Sequence, residues 1–499
     1  MSELLPWSDH LPTGVDPATL DLVAGRSLID AFRSQWTSAP DAPALVDRTS
    51  SGDGRTVTAG ELDERSAVAA RRLRAAGIEP GAVVLVSGAT SVDFVVAYLA
   101  VLRAGATVLA VNSGYTEREV ATIVADARPR AAITDAPAIG AALGDALVTT
   151  PGLDGLPAAG DASIDTAGPD DVALLIYTSG TTGTPKGVPM SHANLLASAD
   201  AVRLAWRWTP EDRLVLALPL YHMHGLGVGL HGTLVSGASA VVHDRFDPGR
   251  VIDAVTDGAS MFFGVPTMWT RLASHPRVEE LATLRLGVSG SAPLPPDLHM
   301  ALAVRIGRPP LERYGMSETA MLTSNPYDGE RRAGSVGFPL PGVDARLAGG
   351  GEIEVRGPNV FRGYLHRPEA TAEAFDGDWF RTGDLGEVDA DGYLHIVGRS
   401  KELIISGGFN VFPREVEDVL RACPGVVDAC VVGVPDPEWG ERVTAFVVGE
   451  TDEATLHAWV VERLVAYKRP RRWERIDEVP RNAMGKMQRD VLVRRVTGS

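Results

Sequence analysis

The sequence predicts an α/β fold: a large multi-subdomain N-terminal domain of α/β layers plus a β-rich layer, then a small mobile α+β C-terminal domain. Three observations predict it. Helical apolar patterns alternate with short β-branched runs in the first third of the chain. From Gly351 onward the texture changes to short alternating strands. The last stretch, beyond residue 400, carries helices and strands enough for a unit of its own.

Each element has its reason in the residues. Leu62, Ala69, Leu73 and Ala76 fall on one helical face, and Gly77 ends that helix before the apolar strand Val83-Val84-Leu85-Val86. Residues 94–102 repeat the helical pattern, Gly105 punctuates, and Val108-Leu109-Ala110-Val111 reads as the next strand. Between 136 and 171 Ala, Gly, Pro and Asp prevail without period, which predicts irregular surface connection. Ile353-Glu354-Val355 and Tyr393-Leu394-His395-Ile396-Val397 are strands of the β-rich layer. A joint near Arg399 and Lys401 divides 1–399 from 400–499. The second part has a helix over 413–422, strands over 426–434 and 443–448, a helix over 453–465 and a basic tail.

Composition excludes several classes of function. The 499 residues supply two to four domains, and 47 Lys and Arg against 64 Asp and Glu leave a net charge of -17. Such a chain repels a phosphate backbone, so no nucleic-acid partner is expected. Cys423 and Cys430 are too few for a disulfide framework or a four-ligand zinc site. The start is acidic and contains Pro6, and no apolar run approaches the roughly 20 residues of a bilayer crossing. A cytoplasmic protein without membrane insertion is the expectation.

The chemistry concentrates in Leu175-Ile-Tyr-Thr-Ser-Gly-Thr-Thr-Gly-Thr-Pro-Lys186-Gly187, an apolar strand running into hydroxyls, glycines and a lysine. Glycines let backbone N–H groups turn toward a phosphate, hydroxyls add donors, and the lysine adds charge. Thr178, Ser179, Gly180, Thr181, Thr182 and Lys186 are therefore candidate phosphate ligands. This is no Walker loop, because Pro185 stands where the second glycine belongs and Gly187 where the metal-binding hydroxyl belongs.

The stretch Tyr177-Thr-Ser-Gly-Thr-Thr-Gly-Thr-Pro-Lys-Gly resembles the signature of the adenylate-forming enzymes, the family of acyl-CoA synthetases, peptide-synthetase adenylation domains and luciferases. Tyr314-Gly-Met-Ser-Glu318-Thr, Arg381-Thr-Gly-Asp384, Gly398-Arg399 with Lys401, and Pro480-Arg-Asn-Ala-Met-Gly-Lys486 are similar to its later motifs, in the family's order. The resemblance spans residues 25–495 and implies ATP, Mg2+ and coenzyme A as ligands. It also implies roles. Arg313, Tyr314 and Gly315 flank adenine, Ser317 contacts the α-phosphate, and Glu318 holds magnesium. Asp384 accepts from the ribose diol, and Arg399 reaches ribose or phosphate. Lys486 stabilises charge on the α-phosphate and the attacking carboxylate. Lys401 is the hinge of a rotating small domain, and Ser406, Gly407 and Gly408 line the pantetheine channel. The implied reaction has two steps: a carboxylate displaces pyrophosphate from ATP, then the thiol of coenzyme A displaces AMP.

The acid is addressed by a further segment. Phe263-Gly-Val-Pro-Thr-Met-Trp-Thr-Arg271 puts an arginine after an apolar run, early in a helix, where burial would demand an anionic partner. Together with Leu218-Pro-Leu-Tyr-His222-Met-His224-Gly, Ser289-Gly-Ser291-Ala and Thr323-Ser-Asn-Pro-Tyr-Asp-Gly329, it resembles the malonyl-CoA synthetase branch. That resemblance implies malonate and methylmalonate as substrates, with Arg271 and Ser291 on the distal carboxylate. His222 and His224 shape the acyl pocket or merely pack, His224 being a catalytic candidate beside Lys486 and Glu318. A broader short-chain or aryl acyl-CoA synthetase with a structural Arg271, and a stand-alone amino-acid adenylation enzyme, are the alternatives. A nucleotide-binding scaffold without turnover fits poorly, since Lys186, Glu318, Asp384 and Lys486 are all present.

Overall fold

The computed structural model describes residues 7, 10–52, 54–144, 146–178, 185–482 and 485–497. Two compact units emerge: one takes in most of 10–345 with Val355–Phe380, the other combines Arg346–Glu354 with 381–497. The architecture is the expected mixture of α/β layers and β-rich parts.

The larger unit holds two sheets. In the six-stranded one the order is Leu147–Thr149, Ala131–Thr134, Val83–Ser87, Thr107–Ala110, Val172–Thr178, Lys186–Ser191, parallel except for the last strand. Crossover helices explain the parallel pairing. Ala59–Ala75 starts from a capping box in which Thr58 accepts from the Glu61 N–H while the Glu61 carboxylate accepts from the Thr58 N–H. It ends ahead of Gly77, whose φ of 88° suits glycine. Ala76 lies just beyond this helix rather than on its apolar face. Every residue of Val92–Arg103 except Asp93 is buried, including Arg103, which donates to the carboxylates of Asp63 and Asp165.

The stretch 136–171 is less irregular than its composition suggests. A short helix, Pro137–Ala141, anchored by the buried Ile139, leads to the strand Leu147–Thr149 at the sheet edge. Elements of five and three residues are too short to show a period. Their backbone pairing, not their side chains, defines them.

The second sheet has nine strands, in the order Phe338–Pro339, Ala320–Ser324, Leu311–Met316, Leu286–Ser289, Met261–Gly264, Arg213–Leu216, Ser239–Val242, Pro43–Asp47, Thr56–Thr58. Its centre is parallel, and a core of Phe262, Trp269, Leu272, Leu294 and Leu302 packs beneath it. Apolar strands buried on both faces are what such a centre requires.

The strand Trp379–Val388 pairs antiparallel with Leu394–Arg399, which sets Asp384 opposite Arg399. The C-terminal sheet runs Phe409–Val411, Ile404–Ser406, Gly440–Gly449, Val426–Asp436, with Arg472–Arg475 added parallel to Gly440–Gly449. Alternation along Val426–Asp436 feeds two cores. Ala429 and Val431 pack with Val416, Leu420, Leu456 and Val460 from helices Pro413–Arg421 and Glu453–Arg463. Cys430 and Val432 pack with Phe446 and Leu492, the latter from Arg489–Thr497. The basic tail therefore contains a strand and a helix. Among the described residues no helix is long and apolar enough to cross a membrane.

Candidate active site

The loop rich in hydroxyls and glycines joins two antiparallel strands, Val172–Thr178 and Lys186–Ser191, with Thr178 opposite Lys186. Ser179, Gly180, Thr181 and Thr182 lie outside the described residues. Lys186 points its ammonium at the ring of Tyr364, 4.8 Å from the centroid. The Tyr364 hydroxyl donates to Glu318 Oε1 over 3.1 Å. Glu318 is buried at 6% exposure and sits in the turn between Leu311–Met316 and Ala320–Ser324. That turn is fixed by its backbone. A side chain at Gly315 would meet the Ala320 carbonyl at 2.0 Å, and the Glu318 carbonyl accepts from the Phe361 N–H. Asn359 ties the same region together, donating to the carbonyls of Thr319 and Met321.

One buried carboxylate beside a lysine fits magnesium, a hard ion that takes one or two protein carboxylates and otherwise phosphate and water oxygens. Among the described residues no cluster of three His, Cys, Asp or Glu side chains could hold a metal by itself. Ser317 is half-buried in the same turn, and Tyr314 is 9% exposed on the preceding strand.

On that strand Arg313 is buried at 4% exposure. Its guanidinium lies against the backbone of Gly290, where an added Cβ would sit 2.4 Å from Cζ. Among the described residues no carboxylate pairs with it, and its Nε and Nη2 make no hydrogen bond. Burial pulls its pKa down to about 9. The histidines that feel its charge are neutral. His222 is held down to about 4 by burial first and the Arg313 charge second, and His224 is lowered by the same two causes and by His222. His224 is 1% exposed, its Nδ1 is 3.3 Å from Ser291 Oγ, and its Nε2 has no partner among the described residues.

Two local conformations shape this corner. His224–Leu230 forms a π-helical stretch, which widens the helix where His224 enters. Ser291 has φ 71°, a left-handed conformation that costs a non-glycine residue and is kept where the surroundings enforce it.

Arg271 is placed otherwise than its sequence suggests. It stands in the last turn of Pro266–Ala273, exposed, with its guanidinium 5.1 Å from the Phe246 ring centroid. Pro266, Trp269 and Leu272 face the core, and this spacing turns residue 271 outward. The premise that Arg271 is buried early in a helix is thus corrected. The arginine that burial leaves in need of an anion is Arg313.

In the smaller unit Arg399 Nε is 2.9 Å from Asp384 Oδ1, and Asp384 is 2% exposed, its N–H donating to Thr382 Oγ1. Lys401 is exposed in the turn Ser400–Glu402. Ser406 is buried, Gly407 and Gly408 have φ 59° and 82°, and the Gly407 N–H donates to the Trp439 carbonyl. Lys486 is exposed, and its N–H donates to Asn482 Oδ1.

Two groups of side chains thus gather about the hairpin 311–324 of the larger unit: Lys186 and Tyr364 with Glu318 of its turn, and His222, His224 and Ser291 with Arg313 of its first strand. Tyr364 escaped sequence reasoning because it belongs to no phosphate-type pattern. Its signal is only an aromatic in a Gly-Tyr-Leu segment.

Comparison with known proteins agrees with this chemistry. Residues 32–365 match the family described as AMP-binding enzyme, and residues 415–486 match the AMP-binding enzyme C-terminal domain. A feruloyl-CoA synthase from an Amycolatopsis species is 38% identical over 465 residues, covering 89% of this chain and 94% of its own. The ATP-bound crystal structure of MatB from Rhodopseudomonas palustris is similar at 40% identity and TM-score 0.87, covering 94% of this chain and 99% of that one. A malonyl-CoA ligase product complex with methylmalonyl-CoA and AMP is similar at 41% identity and TM-score 0.65, covering 88% of this chain and 97% of that one.

Proposed function

The chain belongs to the family of AMP-binding enzymes, among its AMP-forming acyl-CoA ligases, and from that premise we propose that its acid is malonate or a 2-substituted malonate such as methylmalonate. The observation that carries the reading is the buried Arg313, which has no carboxylate partner among the described residues and is flanked by His224 and Ser291. A buried guanidinium left without an anion is costly. A dicarboxylate supplies that anion with its distal carboxylate while the other reacts. The likeness to a malonyl-CoA ligase supports the reading.

The residues then divide the work. Arg313, which the resemblance sets beside adenine, here takes the distal carboxylate in place of the exposed Arg271, Ser291 Oγ and His224 bound its site, and the lowered pKa values of both histidines keep them uncharged at neutral pH. Lys186 draws the phosphates. Glu318 would hold magnesium, whose positive charge favours departure of pyrophosphate. The free carboxylate displaces pyrophosphate from the α-phosphorus, and the acyl-adenylate then yields to the thiolate of coenzyme A with loss of AMP. Lys486 serves the first step, Asp384 and Arg399 hold the ribose, Ser406, Gly407 and Gly408 line the pantetheine path, and Lys401 is the hinge between 1–399 and 400–499. The protein works in the cytoplasm.

The feruloyl-CoA synthase supports a second reading, an aryl acid without a second carboxylate. Arg313→Ala and Arg271→Ala, assayed on malonate and acetate, separate the two. Loss of malonate preference in Arg313→Ala alone supports the clamp. Loss in Arg271→Ala alone, or in neither, overturns it.

A further inference from the structure

Tyr364 touches both Glu318 and Lys186, and it lies outside the motifs read from the sequence. Its hydroxyl donates to Glu318 Oε1 at 3.1 Å, and its ring face receives the Lys186 ammonium at 4.8 Å. We infer that Tyr364 is a positioning residue that sets the Glu318 carboxylate for magnesium and the Lys186 ammonium for the nucleotide phosphates. The inference rests on the adenylating reading of the site and adds to it a residue that acts through two others.

The surroundings show how firmly the ring is held. The Tyr364 N–H donates to Thr371 Oγ1 at 2.9 Å, and that hydroxyl donates to the Arg367 carbonyl. The Leu365 N–H donates to the Gly187 carbonyl at 2.9 Å, which stitches this segment to the strand that starts at Lys186. Phe361 meets the Tyr364 ring edge to face with centroids 4.9 Å apart. Gly363 has φ 146°, and a Cβ there would lie 2.5 Å from Thr371 Cγ2, so the close return of the chain needs glycine. A ring tethered through its own backbone, its neighbour's backbone and a packed phenylalanine has little freedom to turn. Its two polar contacts then fix two flexible side chains at small entropic cost.

The chemistry of each contact is distinct. A phenol donating to one carboxylate oxygen restrains the carboxylate from rotating, and an ionised carboxylate has several lone-pair sites, of which this contact uses one. A cation over an aromatic face keeps its N–H donors directed away from the ring. One aromatic group thus holds the carboxylate at its hydroxyl and the ammonium over its ring face.

Two substitutions separate the contacts. Tyr364→Phe keeps the ring over Lys186 and removes the hydroxyl; Tyr364→Leu removes both. ATP binding is measured calorimetrically without acid or coenzyme A, once with Mg2+ and once with EDTA, alongside thermal unfolding of each variant. A hydrogen bond to a charged group is worth about tenfold or more, so Tyr364→Phe is expected to raise the half-saturating Mg2+ concentration by about tenfold. It should leave ATP affinity in EDTA unchanged. Tyr364→Leu should also weaken ATP in EDTA, by about threefold to tenfold, through the loosened lysine. A merely structural tyrosine would lower the melting temperature or weaken both titrations together in the Phe variant. Equal Mg2+ dependence in parent and Phe variant overturns the proposal. A parent that binds no ATP in either buffer refutes the adenylating reading itself.

Discussion

Gly290→Ala probes the proposed anion site without deleting any charged group. The backbone at Gly290 is not in a left-handed conformation, so alanine is allowed there by its φ. The added Cβ would lie 2.4 Å from Arg313 Cζ, 2.5 Å from Nε and 2.9 Å from Nη1. Carbon atoms rest at roughly 3.5 Å, so the guanidinium must retreat by about 1 Å. A displacement of about 1 Å in a positioning group costs on the order of 100-fold in rate, or about 2.7 kcal/mol of transition-state stabilisation. The assay is kcat/KM for malonate by pyrophosphate release at saturating Mg-ATP and coenzyme A, with the KM for ATP and the melting temperature as controls. The expected result is a loss of about 100-fold for malonate with ATP unaffected. The double variant Gly290→Ala with Arg313→Ala should be no worse than Arg313→Ala alone, because contacting residues are not additive. A folded Gly290→Ala variant within about threefold of the parent on malonate would refute the reasoning.

Other outcomes follow from buried groups remote from that corner. His231 and His192 are buried and held neutral, with pKa values lowered by desolvation to about 3 and about 4, and His231 Nε2 is 2.7 Å from the Tyr98 hydroxyl. Unfolded histidine binds its proton near 6.5, so the unfolded chain takes up protons first as the pH falls. Their contribution is complete above about 6.5 and is lost on the way to about 4, reaching about 2 kcal/mol each at pH 5. Melting temperatures measured at pH 8 and pH 5 should fall accordingly, and the fall should shrink in His231→Gln; a flat profile would contradict this. Arg103 is 2% exposed and donates to Asp63 and Asp165 at 2.6 and 2.9 Å. Arg103→Leu should destabilise the larger unit by about 1.5–3 kcal/mol in a urea titration, because it removes the buried charge-assisted hydrogen bonds and leaves Asp63 and Asp165 to the more exposed Arg33 alone. Arg103→Lys should recover only part, lacking the planar fork; full recovery would show that charge alone matters.

The family and the fold class were legible in the sequence: the run of Gly, hydroxyl and lysine residues after an apolar strand carries the family signature, and strand and helix placement followed from apolar period and glycine stops. What escaped depends on side-chain direction and on contacts distant in sequence. Arg313 lies on a strand whose first four residues are all buried, so no alternation marks it, and the approach of Gly290 shows that it is enclosed. The outward turn of Arg271 was readable from Pro266, Trp269 and Leu272 at spacing three, but the apolar run ahead of it masked the helical face. Tyr364 meets Glu318 across 46 residues of chain, which no local pattern encodes. The strand Leu147–Thr149 exists through pairing with Ala131–Thr134 rather than through its own composition.

The central claim is that a second carboxylate on the substrate meets Arg313. Its most direct test is pyrophosphate release by the parent enzyme with Mg-ATP and coenzyme A across malonate, methylmalonate, acetate and ferulate. The account predicts that malonate and methylmalonate exceed both monocarboxylates in kcat/KM by a factor on the order of 10,000, the discrimination of a buried polar site left unpaired by the wrong substrate. Acetate or ferulate turning over as efficiently as malonate would contradict it.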